Sequence, residues 1–246
     1  MKKIILLRHG ESQWNLENRF TGWKDVSLTK NGELEAIFSA EQILEHEIEI
    51  DQFYTSILKR AVDTSKIVAQ KINFDQKNII QDWRLNERHY GSLQGLNKSE
   101  TAKKFGENQV AIWRRSFSIA PPQLSLNDTR YLELVSIFEN KVGFLPKGES
   151  LQDVIERMKP FWEKIINEIN QNETFLIVAH SNSLRAIIKL LEKLSDKEII
   201  SVDIPTGVPL VYDLDENMKI LNKNYLISKE KLTEKINVVK KQGKIN

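Results

Sequence analysis

Short apolar runs alternate along the chain with stretches whose apolar residues recur every three to four positions. Ile4-Ile5-Leu6-Leu7 is continuous and stops at Arg8-His9, as a strand buried on both faces stops at a loop. Phe53 to Ser56, Asn78 to Gln81, Thr174 to Ala179 and Pro209 to Leu214 predict further strands, and the run from Thr174 is the strongest. Between them, Leu34, Ile37, Ala40, Ile43 and Leu44 mark one helical stripe, and Leu58, Ala61, Val62, Val68, Ala69 and Ile72 a second. A third runs through Leu151, Val154, Ile155, Met158, Trp162, Ile165 and Ile169, with Ser150 as its N-cap and Asp153 placed to complete the cap. Leu184, Ile187, Ile188, Leu191 and Leu194 give a fourth, just after His180. This alternation predicts an α/β fold with a mostly parallel central sheet and helices on both faces. Residues 84–147 break the rhythm with Gly91, Gly95, Gly106, Pro121-Pro122, Gly143 and Pro146. They read as an inserted lid region within a single domain spanning 1–246, not as a second domain.

Composition removes several classes of function. With 40% hydrophobic and 28% charged residues over 246 positions, the chain suits a globular domain with a sizeable core. It has no Cys, hence no disulfide framework, thiol nucleophile or Cys-based zinc site. No apolar run nears the roughly 18 residues of a membrane span, and Ile4 to Leu7 is too short for a signal-peptide core. A cytoplasmic protein without a membrane partner is expected. The net charge of +2 is unevenly spread: residues 227–246 hold six Lys and two Glu, which leaves −2 on the remainder. No basic face for nucleic acid is implied. By composition alone, that tail reads as a solvated, frayed end.

In an open parallel sheet, ligands bind beyond the carboxyl ends of the strands. Two apolar strands end alike, in Leu7-Arg8-His9-Gly10 and in Val178-Ala179-His180-Ser181, and they use two of the four histidines. His46, among Glu45, Glu47 and Glu49, reads as a surface residue, and His89 as structural or functional with equal weight. Metal sites call for three or four clustered ligands. The neighbours of His9 and His180 are instead Arg, Asn and Ser, which suit an anion. A neutral imidazole beside a guanidinium is placed to attack a phosphoryl group that the guanidinium holds.

Arg8-His9-Gly10-Glu11-Ser12 with Asn15, followed by Arg19-Phe20-Thr21-Gly22-Trp23, resembles the histidine phosphatase superfamily, and specifically its cofactor-dependent phosphoglycerate mutases. The likeness continues through Thr55 to Ala61, Leu85 to Gly91, Leu93 to Lys98, Trp113-Arg114-Arg115 and Gly148 to Leu151. It ends with Ala179 to Arg185 and Pro205 to Tyr212, so it spans roughly residues 2 to 214 in the family's order. Arg-His-Gly alone marks the superfamily, whereas the segments at 85–98 and 113–115 are specific to the mutases.

The resemblance implies a role for each matching residue. His9 would carry the phosphoryl group during turnover, held by Arg8 and Arg60, with Asn15 and His180 completing the pocket. Glu87 would be the general acid and base at the substrate hydroxyl. Tyr90, Lys98, Arg114 and Arg115 would grip the far end of the ligand, and Thr21, Gly22, Ser181 and Asn182 would add contacts. The implied reaction interconverts 3-phosphoglycerate and 2-phosphoglycerate in glycolysis and gluconeogenesis, primed by 2,3-bisphosphoglycerate and without metal. Its partners are small phosphoglycerates, and the family's assembly is a homodimer or homotetramer. Taken singly, Arg114-Arg115 reads as a solvated turn, and Glu87 beside Arg88 as a surface ion pair worth about 0–1 kcal/mol. Their joint order gives them weight. A mutase binds its polyanion in either orientation, so it needs cations on both sides of the nucleophile, and Arg8, Arg60, Lys98, Arg114 and Arg115 supply them.

Two features qualify this reading. Val238 to Lys244 is similar to the family's mobile C-terminal segment, which implies a lid with Lys240, Lys241 or Lys244 near the anion. Ser181 stands where the family usually has Gly; a positive φ there would strain Ser, whereas a free hydroxyl would meet phosphate. The alternatives within the fold are a phosphatase, or a bisphosphoglycerate mutase or phosphatase. From another class, a phosphometabolite-binding protein is disfavoured by the presence of both a nucleophile and a proton donor.

Overall fold

The computed structural model describes residues 1–242. The chain runs β1 (Lys2–Arg8), α1 (Gln13–Leu16), α2 (Lys30–Glu45), β2 (Gln52–Thr55), α3 (Lys59–Lys71) and β3 (Ile79–Gln81). It continues through α4 (Lys98–Phe105), α5 (Glu107–Arg115), α6 (Thr129–Phe138), α7 (Leu151–Glu168), β4 (Thr174–Ala179) and α8 (Ser181–Glu192). It closes with β5 (Leu210–Leu214), β6 (Ile220–Tyr225) and α9 (Lys229–Lys241).

The strands form one sheet in the order β3-β2-β4-β1-β5-β6. The pairs β1–β4, β4–β2 and β2–β3 are parallel, and β5 runs antiparallel to both β1 and β6. Successive side chains of a strand point to opposite faces, and β1 is apolar from Ile4 to Leu7 because both of its faces are covered there. Ile4 and Leu6 join the core under α7 and α8, and Ile5 and Leu7 join the core under α2 and α3. The two-faced burial anticipated for the central strands is therefore present, with a core on each side of the sheet. Ser150 caps α7 as its sequence suggests, its hydroxyl accepting from Asp153 N while Asp153 accepts from Ser150 N at 2.8 Å.

Three regions add to or depart from the sequence reading. The irregular stretch 84–147 contains α4, α5 and α6, whose short apolar stripes are covered locally rather than by the sheet. Phe20, Leu93, Ala102 and Val110 form one small core there, and Trp23, Leu58, Leu134 and Phe138 another. Strand β6 was not anticipated, because Leu221 to Asn224 face solvent on an outer strand and carry no apolar alternation. The tail expected to fray on composition alone is helical to Lys241 and is tied to the body by Lys235, which pairs with Glu35 at 2.7 Å.

Candidate active site

Parallel pairing of β1 with β4 sets Arg8 beside Ala179, so the next residues, His9 and His180, leave the sheet side by side. Their rings lie 4.9 Å apart. The neighbouring strand β2 ends at Thr55, and the next residue is Ser56, whose hydroxyl meets His180 Nε2 at 2.7 Å. Arg60 follows in the first turn of α3. Three groups from the ends of adjacent parallel strands, joined by Arg60 from the helix that follows β2, thus meet at one sheet edge, where the topology directs ligands. The loop after His9 can pass there only because it lacks a side chain: a Cβ on Gly10 would lie 2.1 Å from the Gly32 carbonyl oxygen.

The protonation of His9 follows from its partners. Its Nδ1 lies 2.7 Å from the Gly10 carbonyl, which accepts and so fixes the proton on Nδ1. Nε2 keeps its lone pair and accepts from Arg60 Nε at 3.3 Å. Burial, then the cations of Arg60 and Arg8, hold the His9 pKa well below 6.5. His180 is lowered likewise, by burial first and then by Arg60. His9 is therefore neutral at pH 7, with the lone pair of Nε2 at a guanidinium. Arg60 is in turn fixed by donating to Lys24 O at 3.1 Å and Gly22 O at 2.9 Å. Gly22 adopts φ +55, a conformation that costs a residue with a Cβ, and this aims its carbonyl at the guanidinium.

Around this centre the cavity is lined by Arg8, Asn15, Arg19, Thr21, Arg60, Lys98, Arg114, Arg115 and Arg185, with Glu87 the single carboxylate among the lining residues. Tyr90, Ser181 and Asn182 complete its polar wall. Arg114 and Arg115, which in isolation read as a solvated turn, are held at the C-terminal end of α5. Arg115 pairs with Asp203 at 2.6 Å, and burial lowers the Arg114 pKa to about 10. Lys98 is pushed well below its ordinary value by burial and then by Arg114 and Arg8. Glu87 is 7% exposed and is no surface ion pair. Its Oε1 accepts from Arg88 N (2.8 Å), Asn182 N (3.2 Å) and Asn182 Nδ2 (2.9 Å). Tyr90 stacks under Arg88 at 4.7 Å; burial raises its pKa, but Arg88 and Arg114 outweigh this and the net shift is downward.

Not every anticipated contact lies on the wall. Gly22 and His180 are not among the lining residues: Gly22 supports Arg60 from behind, and His180 backs His9. Ser181 does line the cavity, but it is the first residue of α8 and its φ is not positive, so the anticipated strain is absent. In the tail, Val239 and Gln242 reach the cavity, whereas Lys240 and Lys241 do not, and Lys244 lies outside the described residues. Gln242 Oε1 accepts from Lys98 Nζ at 3.1 Å, and its backbone carbonyl accepts from Arg114. Sequence reasoning also missed Arg185, one helical turn beyond Ser181. It donates to Asn182 Oδ1 at 3.1 Å and to Ile199 O at 2.6 Å, and burial lowers its pKa to about 9. The spacing of Arg185 from His180 was the available signal.

This donor set fits a polyanion. Arg8 Nε and Arg185 Nε are buried without a partner among the described residues, and buried donors normally have one. No group of three or more His, Asp or Glu among the described residues could hold a metal. No helix among them is long and apolar enough to cross a membrane.

Residues 4–223 match the model of the histidine phosphatase superfamily, branch 1. The chain belongs to that superfamily. A relative from Treponema denticola named 2,3-bisphosphoglycerate-dependent phosphoglycerate mutase is 50% identical over 244 residues, covering 98% of this chain and 99% of the relative. One from Bacteroides thetaiotaomicron, named 2,3-bisphosphoglycerate-dependent phosphoglycerate mutase 2, is 49% identical over 99% of both chains. Among solved structures, a mycobacterial glucosyl-3-phosphoglycerate phosphatase superposes with a TM-score of 0.69 at 21% identity, over 92% of this chain and 97% of that one. A structure titled mycobacterial hydrolase 1 gives a TM-score of 0.69 at 20% identity, covering 92% and 96%. Likeness at that level establishes the fold alone.

Proposed function

We propose that the chain interconverts 3-phosphoglycerate and 2-phosphoglycerate through a phosphohistidine at His9, primed by 2,3-bisphosphoglycerate. The observation that carries this is a neutral His9 whose Nε2 lone pair meets Arg60, in a cavity with cations on both sides. The near full-length likeness to relatives named for this activity supports it. The bisphosphate, when bound, supplies the phosphoryl group that primes His9. Arg8, Arg60, Lys98, Arg114 and Arg115 would hold its charge, and Arg8 Nε and Arg185 Nε are donors still to be satisfied.

In each half-reaction, His9 Nε2 forms a bond to phosphorus as the P–O bond breaks, or the reverse. Glu87 gives a proton to the leaving oxygen, or takes one from the attacking hydroxyl, so charge and protons balance. Arg8, Arg60 and Asn15 bind the equatorial oxygens where charge gathers in the transition state. Tyr90, Lys98, Arg114 and Arg115 orient the other end of the ligand, with Thr21, Gly22, His180, Ser181 and Asn182 around the phosphoryl pocket. The segment from Ile227 closes over the cavity as a lid, and water exclusion protects the phosphohistidine from hydrolysis. We read residues 1–246 as a single domain, cytoplasmic, and assembled as a homodimer or homotetramer, to be checked by light scattering.

Conversion of 3-phosphoglycerate to 2-phosphoglycerate, with and without the bisphosphate, tests the reading by an enolase-linked assay. A stopped assay without enolase and with EDTA removes the magnesium that enolase needs. Bisphosphate-dependent, chelator-resistant conversion that His9→Ala abolishes is expected. Release of inorganic phosphate without conversion would instead establish a phosphatase.

A further inference from the structure

Glu87 owes its position to a group that never touches the cavity. Arg157, on α7 and only 8% exposed in its side chain, pairs with Glu149 at 2.6 Å and turns its remaining donors on one stretch of backbone. It donates to the carbonyls of Asn86 (2.9 Å) and Glu87 (3.0 Å), and to that of Arg84. Trp23 Nε1 donates to the same Glu87 carbonyl at 2.6 Å, with the Arg157 guanidinium 5.8 Å from its ring centre. Beyond Glu87, Glu149 Oε2 accepts from His89 N at 2.7 Å, and Glu149 N donates to His89 O at 2.9 Å. The segment is not in a regular helix or strand at Glu87 itself, so no ladder of backbone bonds fixes it there. These side chains take over that task.

We infer that the Arg157–Glu149 ion pair, with the Trp23 indole, is a backbone clamp that positions the Glu87 carboxyl group for proton transfer. The inference rests on the role of Glu87 given above. The guanidinium fork reaches three carbonyls and a carboxylate at once, which a lysine ammonium on a single stem cannot do. Displacement of a general acid by a fraction of an ångström costs the step that needs a proton, and leaves untouched any step that does not.

That difference gives the test. Single-turnover phosphorylation of His9 is measured with 2,3-bisphosphoglycerate, whose departing alkoxide needs a proton, and with p-nitrophenyl phosphate, whose departing phenolate does not. Arg157→Lys and Trp23→Phe are compared with Glu87→Gln; Trp23→Phe removes one N–H and leaves the ion pair, should Arg157→Lys fail to fold. The expected result is a loss of at least about tenfold with the bisphosphate and less than about twofold with the aryl phosphate, within the range of general acid catalysis. Parallel losses with both donors, or loss with neither, would overturn the clamp. Failure of the function itself shows separately, as wild-type protein that the bisphosphate does not phosphorylate.

Discussion

His89 offers the most direct check on how this site is buried. Its side chain is fully enclosed, its Nδ1 accepts from Gly91 N at 3.0 Å, and its Nε2 has no partner among the described residues. Burial, then the cations of Arg130 and Arg157, lower its pKa from 6.5 to about 3. Between those values the unfolded chain binds a proton that the folded chain does not, so stability falls as pH falls below 6.5. By linkage, the contribution of this one group at pH 5 relative to pH 8 is about 2 kcal/mol. His9 and His180 act in the same direction, so wild-type protein should lose more than that. His89→Asn isolates the term, because an amide oxygen can still accept from Gly91 N but does not titrate. Urea unfolding at pH 8, 7, 6 and 5 should show the variant losing about 2 kcal/mol less than wild type over the range. Any packing defect shifts all four points equally and cancels. Parallel pH dependences for the two proteins would refute a neutral, buried His89.

Other consequences follow from the cavity wall. Ser181→Gly should not raise turnover, since the backbone there is unstrained; loss of a hydroxyl contact should raise KM about fivefold, and a gain in kcat would contradict the helical placement. Lys98→Met should raise the KM for phosphoglycerate about 10–100-fold by removing a charge-assisted contact, with kcat changed less; an unaltered KM would place the ligand elsewhere. Arg185→Met frees the Asn182 amide, whose Nδ2 bonds Glu87, and kcat should drop by about tenfold; an unchanged kcat would separate Asn182 from the proton transfer. Truncation after Leu226 should raise phosphate release relative to mutase turnover, and an unchanged ratio would exclude a lid.

Much of this was legible because apolar strands announce themselves. The runs at Ile4 and Thr174 are buried on both faces, and both histidines follow directly from equivalent ends of these runs. Helices α2, α3, α7 and α8 were equally plain, since each turns one stripe to the sheet. The insertion was opaque for a physical reason: α4 to α6 cover small local cores, so their apolar positions are few and their periods short. Strand β6 was hidden by its exposure. Within the site, residue types were readable but orientations were not. Nothing in Gly22 or Gln242 as letters says that a carbonyl will face Arg60 or Lys98.

The tail contact links binding to closure through charge. Burial, then Arg114 and Arg8, depress the pKa of Lys98, and burial brings that of Arg114 to about 10, so the cavity carries an uncompensated cost. Gln242 meets both groups with neutral oxygens, one from its side chain and one from its backbone. Neutral carbonyls satisfy the donors without cancelling their charge. A carboxylate or phosphate does both, and charge-assisted bonds are about twice as strong as neutral ones. The ligand should therefore displace Gln242 from Lys98 and Arg114 rather than share them. The rest of α9 is held independently, through Lys235 on Glu35 and on the Thr206 carbonyl. One anchor thus yields to the anion while the other keeps the helix over the cavity. Lys235→Ala separates the two: it should raise phosphate release relative to mutase turnover while the KM for 3-phosphoglycerate stays within about twofold, because the ion pair it breaks lies outside the charged wall. A large rise in KM with no change in that ratio would mean that Lys235 holds the ligand itself rather than the lid.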